Sequence, residues 1–201
     1  LRFHTQTAGV SLTAQQPENN VVRTTVQALA AVLGGTQSLH VNSKDEALAL
    51  PTEEAVQLSL RTQQILAHES GVTETVDPLA GSYYVENLTD RIETAALEYI
   101  SEIDRLGGAV SALDHGYQMR EIHDSAFKLQ QRIEEGDRVV VGVNQFRSTA
   151  PPIEKLQAID PNETTLQIDG VKKVRRQRDG EVTRSTLERL EDTARGSENT
   201  L

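Results

Sequence analysis

Two strand-and-helix pairs follow one another within the first 71 residues, and this order constrains the fold more than any other feature of the sequence. Leu1–Thr7 alternates apolar and polar residues, as a half-buried strand does, and Gly9 ends it. Pro17–Leu33 carries apolar residues at helical spacing between a proline and a Gly-Gly pair. Thr36–Val41 predicts a second strand, and a long helix follows Pro51. Strand, helix, strand and helix in so short a span predict parallel βα units, and therefore an α/β fold.

Polar residues follow both predicted strands, where the chain turns toward a helix. Gln6 and Gly9 follow the first strand, and the segment Ser43–Glu46 follows the second, within Asn42–Glu46, which we interpret as the N-cap region of the next helix. Adjacent parallel strands present these ends together, and in βα units the loops after the strands carry function. Amides, hydroxyls and a close-approach glycine suit a large neutral ligand. On this pattern alone, polar residues at ordinary strand ends are the slightly favoured interpretation.

The composition argues against nucleic-acid and membrane partners. A formal net charge of −10 repels nucleic acid and anionic membrane surfaces. No apolar run approaches the ~18 residues that span a bilayer. The basic stretch at residues 172–178 is interpreted as a solvated helix or linker. Cysteine is absent, which excludes disulfides and thiolate metal sites, and a reducing cytoplasm is the expected compartment.

No catalytic or metal-binding residue is assigned from the sequence. The best metal candidate is a cluster of two histidines and two acids whose helical positions do not converge, so a solvated face is favoured. The cluster consists of His115, Glu121, His123 and Asp124. A nucleophilic triad of Ser11, His4 and Asp45 lacks the Gly-x-Ser-x-Gly elbow and is rejected. The sequence contains neither a P-loop nor a Gly-x-Gly-x-x-Gly fingerprint, which argues against nucleotide hydrolysis.

The sequence predicts three regions. Residues 1–75 hold the βα units, residues 76–146 a helical extension with a short strand, and residues 147–201 a linker and a polar helical tail. The helix after Pro51 is expected to turn apolar residues inward: Ala55, Leu58, Leu60, Ile65 and Leu66. The later elements are expected to be helices at Leu88–Leu106, Met119–Glu135 and Thr183–Arg195, a buried strand at Arg138–Val143, and a linker at Pro151–Pro152.

Ordered segments of the sequence resemble the adenosylcobalamin-dependent acyl-CoA mutases of the methylmalonyl-CoA mutase family. The similarity is close over residues 1–146 and looser beyond them. The matching segments are Arg2–Gly9, Ser11–Gln15, Asn19–Asn20, Arg23–Thr24, Gly34–His40, Asp45–Pro51, Asp77–Pro78, Gly81–Tyr83 and Val141–Asn144. So many matches in order and at matching spacing identify the chain as similar to the family's large, substrate-binding subunit, and we expect it to be an internal piece of a longer protein.

The resemblance implies a fold and a set of ligands. The fold would be the C-terminal part of a (β/α)8 TIM barrel, namely its last two βα units, followed by a mostly helical extension; the other strands, which a barrel of eight requires, would lie upstream. Four residues match positions that meet the corrin and the adenosyl side of adenosylcobalamin: Gln6, Gly9, Glu46 and Ala49. Two match positions near the CoA thioester of the acyl-CoA substrate: Gln37 and Ser38.

The cofactor-facing positions carried over by the resemblance also make physical sense. Gly9 lets the backbone approach a flat macrocycle. Glu46, expected at a helix N-terminus, is an acceptor for a sugar or an amide. Ala49, one helical turn after Glu46 in the expected helix, has a small side chain that leaves space for the cofactor. The implied partners are a cobalamin-binding small subunit or domain and a GTPase chaperone.

The activity implied by the resemblance is a radical isomerisation of methylmalonyl-CoA and succinyl-CoA, with the fragment inactive alone. Ala8 and Val10 stand where methylmalonyl-CoA mutases often have serine and tryptophan. This leaves an isobutyryl-CoA or 2-hydroxyisobutyryl-CoA mutase large subunit as an alternative. The Asp-x-His-x-x-Gly sequence that supplies the cobalt ligand is missing, and Asp114-His115-Gly116 matches it only superficially. An alternative of another class is a non-catalytic docking module for a cobalamin-binding subunit or a chaperone.

Overall fold

The chain is mixed α/β, mostly helical, with a small parallel sheet. The computed structural model describes residues 2–149, 156–197 and 199–200. Contacts divide the chain into two compact units, Leu1–Gln157 and Ala158–Leu201. The linker predicted at Pro151–Pro152 lies outside the described residues.

The sheet consists of two short strands, β1 (His4–Gln6) and β2 (Ser38–His40), which pair in parallel with their first residues opposite each other. The Thr7 amide donates to the His40 carbonyl at 3.0 Å, which extends the pairing one step beyond the strands. Both predicted strands are therefore confirmed, although each is shorter than the pattern indicated.

The prediction that the first strand reaches Gly9 is wrong. Gly9–Ser11 forms a turn of 3-10 helix instead, in which the amides of Ser11 and Leu12 donate to the carbonyls of Ala8 and Gly9, each at 3.0 Å. The backbone thus leaves the sheet after Gln6 and turns toward the end of the neighbouring strand. This turn places Gly9 beside the loop that follows β2.

Two helices, α1 (Asn19–Leu33) and α2 (Glu53–His68), pack on the same face of the sheet. The apolar cluster there consists of Ala28, Leu29, Leu39, Val41 and Leu66. Because side chains alternate along a strand, the central residue of β2, Leu39, points toward the helices while its two neighbours point away. Burying this cluster stabilises the βα units at roughly 25 cal/mol per Å² of apolar surface.

The buried stripe of α2 is part polar. Thr52 caps the helix, since its side chain accepts a hydrogen bond from the Ala55 amide at 3.2 Å. The stripe consists of Ala55, Ser59, Thr62 and Leu66, and both hydroxyls donate to carbonyls of the preceding turn. The expectation that Leu60 and Ile65 point inward is wrong: both side chains are about half exposed, because the small residues of the stripe set the closest approach to the sheet.

Three helices follow in the same unit: α3 (Tyr83–Arg105), α4 (Ala109–Asp114) and α5 (Tyr117–Glu134). The helices predicted at 88–106 and 119–135 are confirmed, although both begin earlier than the apolar periodicity indicated. The short helix α4 was not predicted; Gly108 and Gly116, both with positive φ, set its limits.

The strand predicted at Arg138–Val143 is wrong. Only an isolated bridge between Val141 and Gln145 forms. The Asn144 side chain takes the backbone groups that a strand would need, because its Oδ1 accepts from the Val140 amide at 2.7 Å and its Nδ2 donates to the Arg138 carbonyl at 2.7 Å. A β-branched run without a neighbouring strand therefore folds into a compact loop.

This loop, residues 140–146, docks on the βα units. Arg23 on α1 donates from Nη2 to the Val141 carbonyl at 2.8 Å, and Gln16 donates from Nε2 to the Phe146 carbonyl at 2.8 Å. A β-carbon on Gly142 would lie 2.9 Å from Cδ of Gln16, so the contact leaves no space for a side chain there. The extension is thus tied to the surface from which the loop after β1 leads into α1.

The second unit contains two helices, α6 (Pro161–Gln177) and α7 (Gly180–Arg195). Asp160 and Asp179 cap them by accepting hydrogen bonds from first-turn amides. The helix predicted at 183–195 is confirmed with an earlier start, and α6 covers most of the basic stretch 172–178, for which a solvated helix or a linker was expected. None of the helices in the described part of the chain is long and apolar enough to cross a membrane.

Candidate functional site at the strand ends

The carboxyl ends of β1 and β2 meet at Asn42, a buried residue just beyond β2. Gln6 donates from Nε2 to Oδ1 of Asn42 at 3.0 Å. The Asn42 amide donates to Oγ1 of Thr7 at 2.8 Å, and Oγ of Ser59 on α2 donates to the Asn42 carbonyl at 3.3 Å. Asn42 therefore orients the exposed amide of Gln6, whose own carbonyl oxygen accepts no hydrogen bond from the described residues.

Gly9 lies so close to Asn42 that it leaves no space for a side chain. A β-carbon on Gly9 would be 2.8 Å from Nδ2 of Asn42 and 3.5 Å from Oε1 of Glu46. Its φ lies outside the left-handed region, so the constraint is space and not backbone conformation. The structure thus brings together three of the residues singled out from the sequence, Gln6, Gly9 and Glu46, around Asn42.

The prediction that Glu46 lies at a helix N-terminus is wrong. Helix α2 begins only at Glu53, and both Glu46 and Ala49 lie on the connecting loop 43–52. A single turn forms here because the Ala49 amide donates to the Asp45 carbonyl at 3.0 Å. Pro51 prevents this turn from continuing as a helix, since proline disfavours helical backbone at the residue before it and lacks an amide hydrogen.

Gln37 and Ser38 lie at the opposite, amino end of the strands. Oε1 of Gln37 accepts from the Phe3 amide at 2.8 Å, and its Nε2 donates to the Gly35 carbonyl at 2.5 Å. Ser38 shares a hydrogen bond of 2.8 Å with Nδ1 of His4 on the face away from the helices. The Gln37 side chain thus secures the entry into β2, and Ser38 lies on the same sheet face as Gln6.

The two loops that carry the site are joined by Asn20, the second residue of α1. Asn20 is fully buried, and its Nδ2 donates to the carbonyls of Thr13 and Lys44, each at 2.9 Å. Its Oδ1 accepts from the Thr13 amide at 3.1 Å and from Nη1 of Arg23 at 2.8 Å. One amide side chain therefore fixes the loop after β1 against the loop after β2.

Lys44 adds an electrostatic link between α1 and the second loop. Its Nζ lies 2.8 Å from Oε1 of Glu18, beside the first turn of α1. The hydrogen bond from Lys44 to this carboxylate raises the lysine pKa, against a smaller opposing effect of burial. The charged form of Lys44 is therefore favoured in the folded protein.

A metal site is not assembled by the described residues. No three histidine or acidic side chains in the described ranges converge in a way that could hold an ion. Glu121, from the cluster considered above, instead accepts a hydrogen bond from the hydroxyl of Tyr99 at 3.0 Å. This bond raises the pKa of Tyr99, an exposed group on the extension.

Two residues that organise the site, Asn42 and Asp45, lie in the predicted N-cap region 42–46, but sequence reasoning assigned neither of them a role in the site. Both are buried and polar, and they lie two and five residues beyond His40, the last residue of β2. The polar run after the second strand is the signal that pointed to this segment, and it was interpreted as the N-cap region of a helix.

The site offers hydrogen-bond acceptors beside exposed apolar surface. No described residue donates a hydrogen bond to the Glu46 carboxylate, and the Gln6 carbonyl is likewise available. Val10, next to Gly9, is 99% exposed, and Leu50, next to Ala49, is 59% exposed. Such a surface suits a broad, partly apolar ligand with hydroxyl or amide donors, and it contains no paired nucleophile and base.

Comparison with known proteins identifies relatives over the whole chain. The sequence model of a family described as methylmalonyl-CoA mutase matches residues 1–201. The methylmalonyl-CoA mutase of Rhizobium meliloti (strain 1021) is 46% identical over 202 residues, which cover 100% of this chain and 28% of that protein. The 2-hydroxyisobutanoyl-CoA mutase large subunit of Aquincola tertiaricarbonis is 42% identical over 202 residues, which cover 100% of this chain and 36% of that protein.

A mitochondrial relative shows the same pattern. The methylmalonyl-CoA mutase of Homo sapiens is 43% identical over 195 residues, which cover 96% of this chain and 26% of that protein. The chain thus spans between about a quarter and a little over a third of the length of these relatives.

Proposed function

This chain belongs to the methylmalonyl-CoA mutase family, and from that premise we propose that it is part of an isomerase that rearranges the carbon skeleton of methylmalonyl-CoA to succinyl-CoA. The observation that carries the proposal is the convergence of Gln6, Gly9 and Glu46 around Asn42 at the carboxyl ends of two parallel strands. In this proposal residues 1–75 are the last two βα units of a TIM barrel, residues 76–146 its helical extension and residues 147–201 a linker and tail. Parallel strands with their helices on one face support the barrel.

The residues at the strand ends fit adenosylcobalamin. When bound, this cofactor supplies a carbon-centred radical by homolysis of its cobalt–carbon bond. The carbonyl of Gln6 and the carboxylate of Glu46 would accept hydrogen bonds from the donors of the adenosyl group, and neither has another partner among the described residues. Gly9 and Ala49 carry little or no side chain at the site, and the exposed side chains of Val10 and Leu50 would cover apolar parts of the cofactor.

An acyl-CoA is the proposed substrate, with Ser38 and Gln37 near its thioester. Ser38 lies on the face of the sheet away from the helices, and membership of the family implies an acyl-CoA held along the barrel axis on that side. The relative from Aquincola tertiaricarbonis is named for 2-hydroxyisobutanoyl-CoA. We therefore keep 2-hydroxyisobutyryl-CoA and isobutyryl-CoA as alternative substrates, which Ala8 and Val10 favour at the positions described above.

The proposed partner is a cobalamin-binding subunit or domain, with a GTPase chaperone as a second partner. The extension supports this, because α3 and α5 leave apolar side chains exposed, among them Ile92, Ile122 and Phe127. Relatives occur in bacteria and in mitochondria, and we propose the cytoplasm as the compartment for this chain, which has no cysteine.

The experiment that tests the proposal uses the full-length parent protein with its cobalamin-binding partner. We expect conversion of (R)-methylmalonyl-CoA to succinyl-CoA that depends on added adenosylcobalamin. Glu46→Gln should weaken adenosylcobalamin binding about tenfold, the size of one charge-assisted hydrogen bond, without lowering thermal stability. Glu74→Gln, at an exposed acid beyond α2, is the matched control and should change neither.

Two other results would redirect the assignment. Turnover of isobutyryl-CoA or 2-hydroxyisobutyryl-CoA, with methylmalonyl-CoA left unchanged, would replace the substrate. Binding of a cobalamin-loaded partner without turnover of any of these acyl-CoA esters would favour the docking module.

A further inference from the structure

Asp45 is a buried carboxylate to which neither the sequence pattern nor the proposed binding contacts give a role. The residue is 4% exposed. Its Oδ1 accepts a hydrogen bond from Oγ of Ser43 at 2.6 Å, and its Oδ2 accepts from the amide of Thr52 at 3.0 Å and from Oγ1 of Thr52 at 3.3 Å. The side chain thus holds the first and last parts of loop 43–52 together.

The backbone of the same residue forms the turn inside the loop. The carbonyl of Asp45 accepts from the amides of Leu48 at 2.8 Å and Ala49 at 3.0 Å. The Glu46 side chain, in contrast, has no hydrogen bond to any described residue, and the exposed Leu50 adds no polar contact. The side-chain hydrogen bonds that close the loop are therefore those of Asp45.

The network continues into α2. Oγ1 of Thr52 donates to Asp45 and at the same time accepts from the Ala55 amide, which caps the helix. A change at Asp45 therefore alters both the closure of the loop and the residue that fixes the start of α2. The hydrogen bonds between Asp45 and Thr52 therefore link the loop to the start of α2.

We infer that Asp45 is a positioning residue for cofactor binding: its carboxylate closes loop 43–52 and so sets the positions of Glu46 and Ala49, which would contact the adenosylcobalamin. The inference rests on the proposed function, because it takes its ligand from it. Asp45 itself does not touch the ligand. Its effect is specific to the cofactor, because Gln37 and Ser38, the residues proposed near the acyl-CoA, lie at the other end of the strands.

A residue that only stabilises the fold would give a different result in a comparison of the two ligands. A buried polar residue that only stabilises the βα units should affect both ligands alike when it is removed. Thr62 provides this comparison, because it is buried in the middle of α2 and donates one hydrogen bond to the Leu58 carbonyl at 3.0 Å, away from the loop.

The test uses full-length protein carrying Asp45→Ala, Asp45→Asn or Thr62→Ala. Dissociation constants for adenosylcobalamin and for the acyl-CoA are measured separately, the first from the absorbance change of the cofactor. Hydrogen exchange of the Leu48 and Ala49 amides is measured without any ligand. Ser43→Ala, which removes one donor to the carboxylate, is a milder fourth variant that decides the question if Asp45→Ala does not fold.

We expect Asp45→Ala to weaken adenosylcobalamin binding about tenfold or more and to change the acyl-CoA dissociation constant by less than about twofold. The Leu48 and Ala49 amides should exchange faster. Asp45→Asn should restore part of both properties, since it keeps one acceptor, and Ser43→Ala should show a smaller effect in the same direction. Thr62→Ala should change neither the cofactor affinity nor the exchange rates of the Leu48 and Ala49 amides.

Other outcomes separate the inference from the proposed function. A wild-type protein that does not bind adenosylcobalamin overturns the proposed function and, with it, the ligand named here. If the wild-type protein binds adenosylcobalamin and Asp45→Ala binds it equally well, the positioning role is overturned and the proposed function stands. Equal losses for both ligands, matched by Thr62→Ala, show a structural residue and overturn the inference as well.

Discussion

The buried side chain of Asn20 donates a hydrogen bond to the backbone carbonyl of Lys44 at 2.9 Å and thereby joins the start of α1 to the loop that follows β2. The same amide also holds both backbone groups of Thr13. Because Thr13 belongs to the loop after β1, the Asn20 side chain joins the two loops, in addition to the contacts of Asn42 with Gln6 and Thr7. Its removal therefore tests whether the site is built by this contact.

Asn20→Ala is expected to lower the free energy of unfolding by about 3 kcal/mol, because it leaves three half-buried backbone groups of Thr13 and Lys44 without partners. Urea denaturation followed by circular dichroism measures the loss. Asn19→Ala is the neighbouring control, because Asn19 bonds only to the side chain of Gln16, and it should cost well under half as much. Equal effects of the two variants would contradict this account.

Gly9→Ala is expected to destabilise the protein by about 1–3 kcal/mol, the usual cost of overpacking. The new β-carbon would lie 2.8 Å from Nδ2 of Asn42, whose side chain is buried and bonded to Gln6. Adenosylcobalamin affinity should fall as well, since the shift of Asn42 moves the Gln6 amide.

The control for this change is Gly170→Ala in the interior of α6. No atom lies within 4 Å of the β-carbon there, and alanine is the better helix former. Thermal unfolding should therefore show no loss of stability. A Gly9→Ala variant that is as stable as Gly170→Ala and binds cofactor normally would show that the close approach has no consequence.

Arg23→Met is expected to release loop 140–146 from α1. The change keeps most of the side-chain length but removes the donor to the Val141 carbonyl and the bonds to Oγ1 of Thr13 and Oδ1 of Asn20. A loss of about 1–2 kcal/mol should accompany faster hydrogen exchange in residues 140–146. Arg91→Met, at an exposed arginine of α3, should change neither measurement. Unaltered exchange in the loop of Arg23→Met would contradict the docking role.

The Lys44–Glu18 pair should contribute to stability only below strongly alkaline pH. The lysine pKa is raised on folding from its ordinary value of 10.5. The folded state therefore binds the proton more tightly, so the contribution is complete below that value and is lost as pH rises through the higher folded pKa. Since Glu18 is largely exposed, the contribution is about 0.5 kcal/mol.

Urea titrations of wild type and Lys44→Gln at pH 8 and near pH 11.5 measure this difference. The difference in the free energy of unfolding between wild type and Lys44→Gln should be smaller at the higher pH. Lys128→Gln, at an exposed lysine of α5, should show no such difference at either pH. If the difference in unfolding free energy between wild type and Lys44→Gln is the same at both pH values, the effect comes from packing of the lysine side chain and not from its charge.

Most of the fold could be predicted because local patterns and tertiary contacts agree in the βα units. Alternation in residues 1–7 and helical spacing in residues 17–33 both lead to elements that the structure contains. The run at 138–143 has equally strong β propensity, but a strand needs a neighbour, and Asn144 takes its backbone groups instead. For the charged stretch in helix α6 the pattern left a solvated helix and a linker open, although Asp160 and Pro161 mark the start of the helix.

The site could be predicted only in part. Positions of Gln6, Gly9 and Glu46 follow from their place after the strands, and the structure brings them together. The roles of Asn42 and Asp45 could not be predicted, because they depend on which distant groups their side chains reach. Asn42 contacts Gln6 across 36 positions of sequence, and local pattern contains no information on such a pair.

The hydrogen bond from Gln16 to Phe146 joins residues 130 positions apart. During synthesis, α1 and its loop emerge from the ribosome long before their partner at residue 146 exists. At translation rates of about 5–20 residues per second, the surface around Gln16 waits roughly 6–26 s for that contact. Over this interval the surface of the nascent βα units around Gln16 lacks the loop that contacts it in the folded protein.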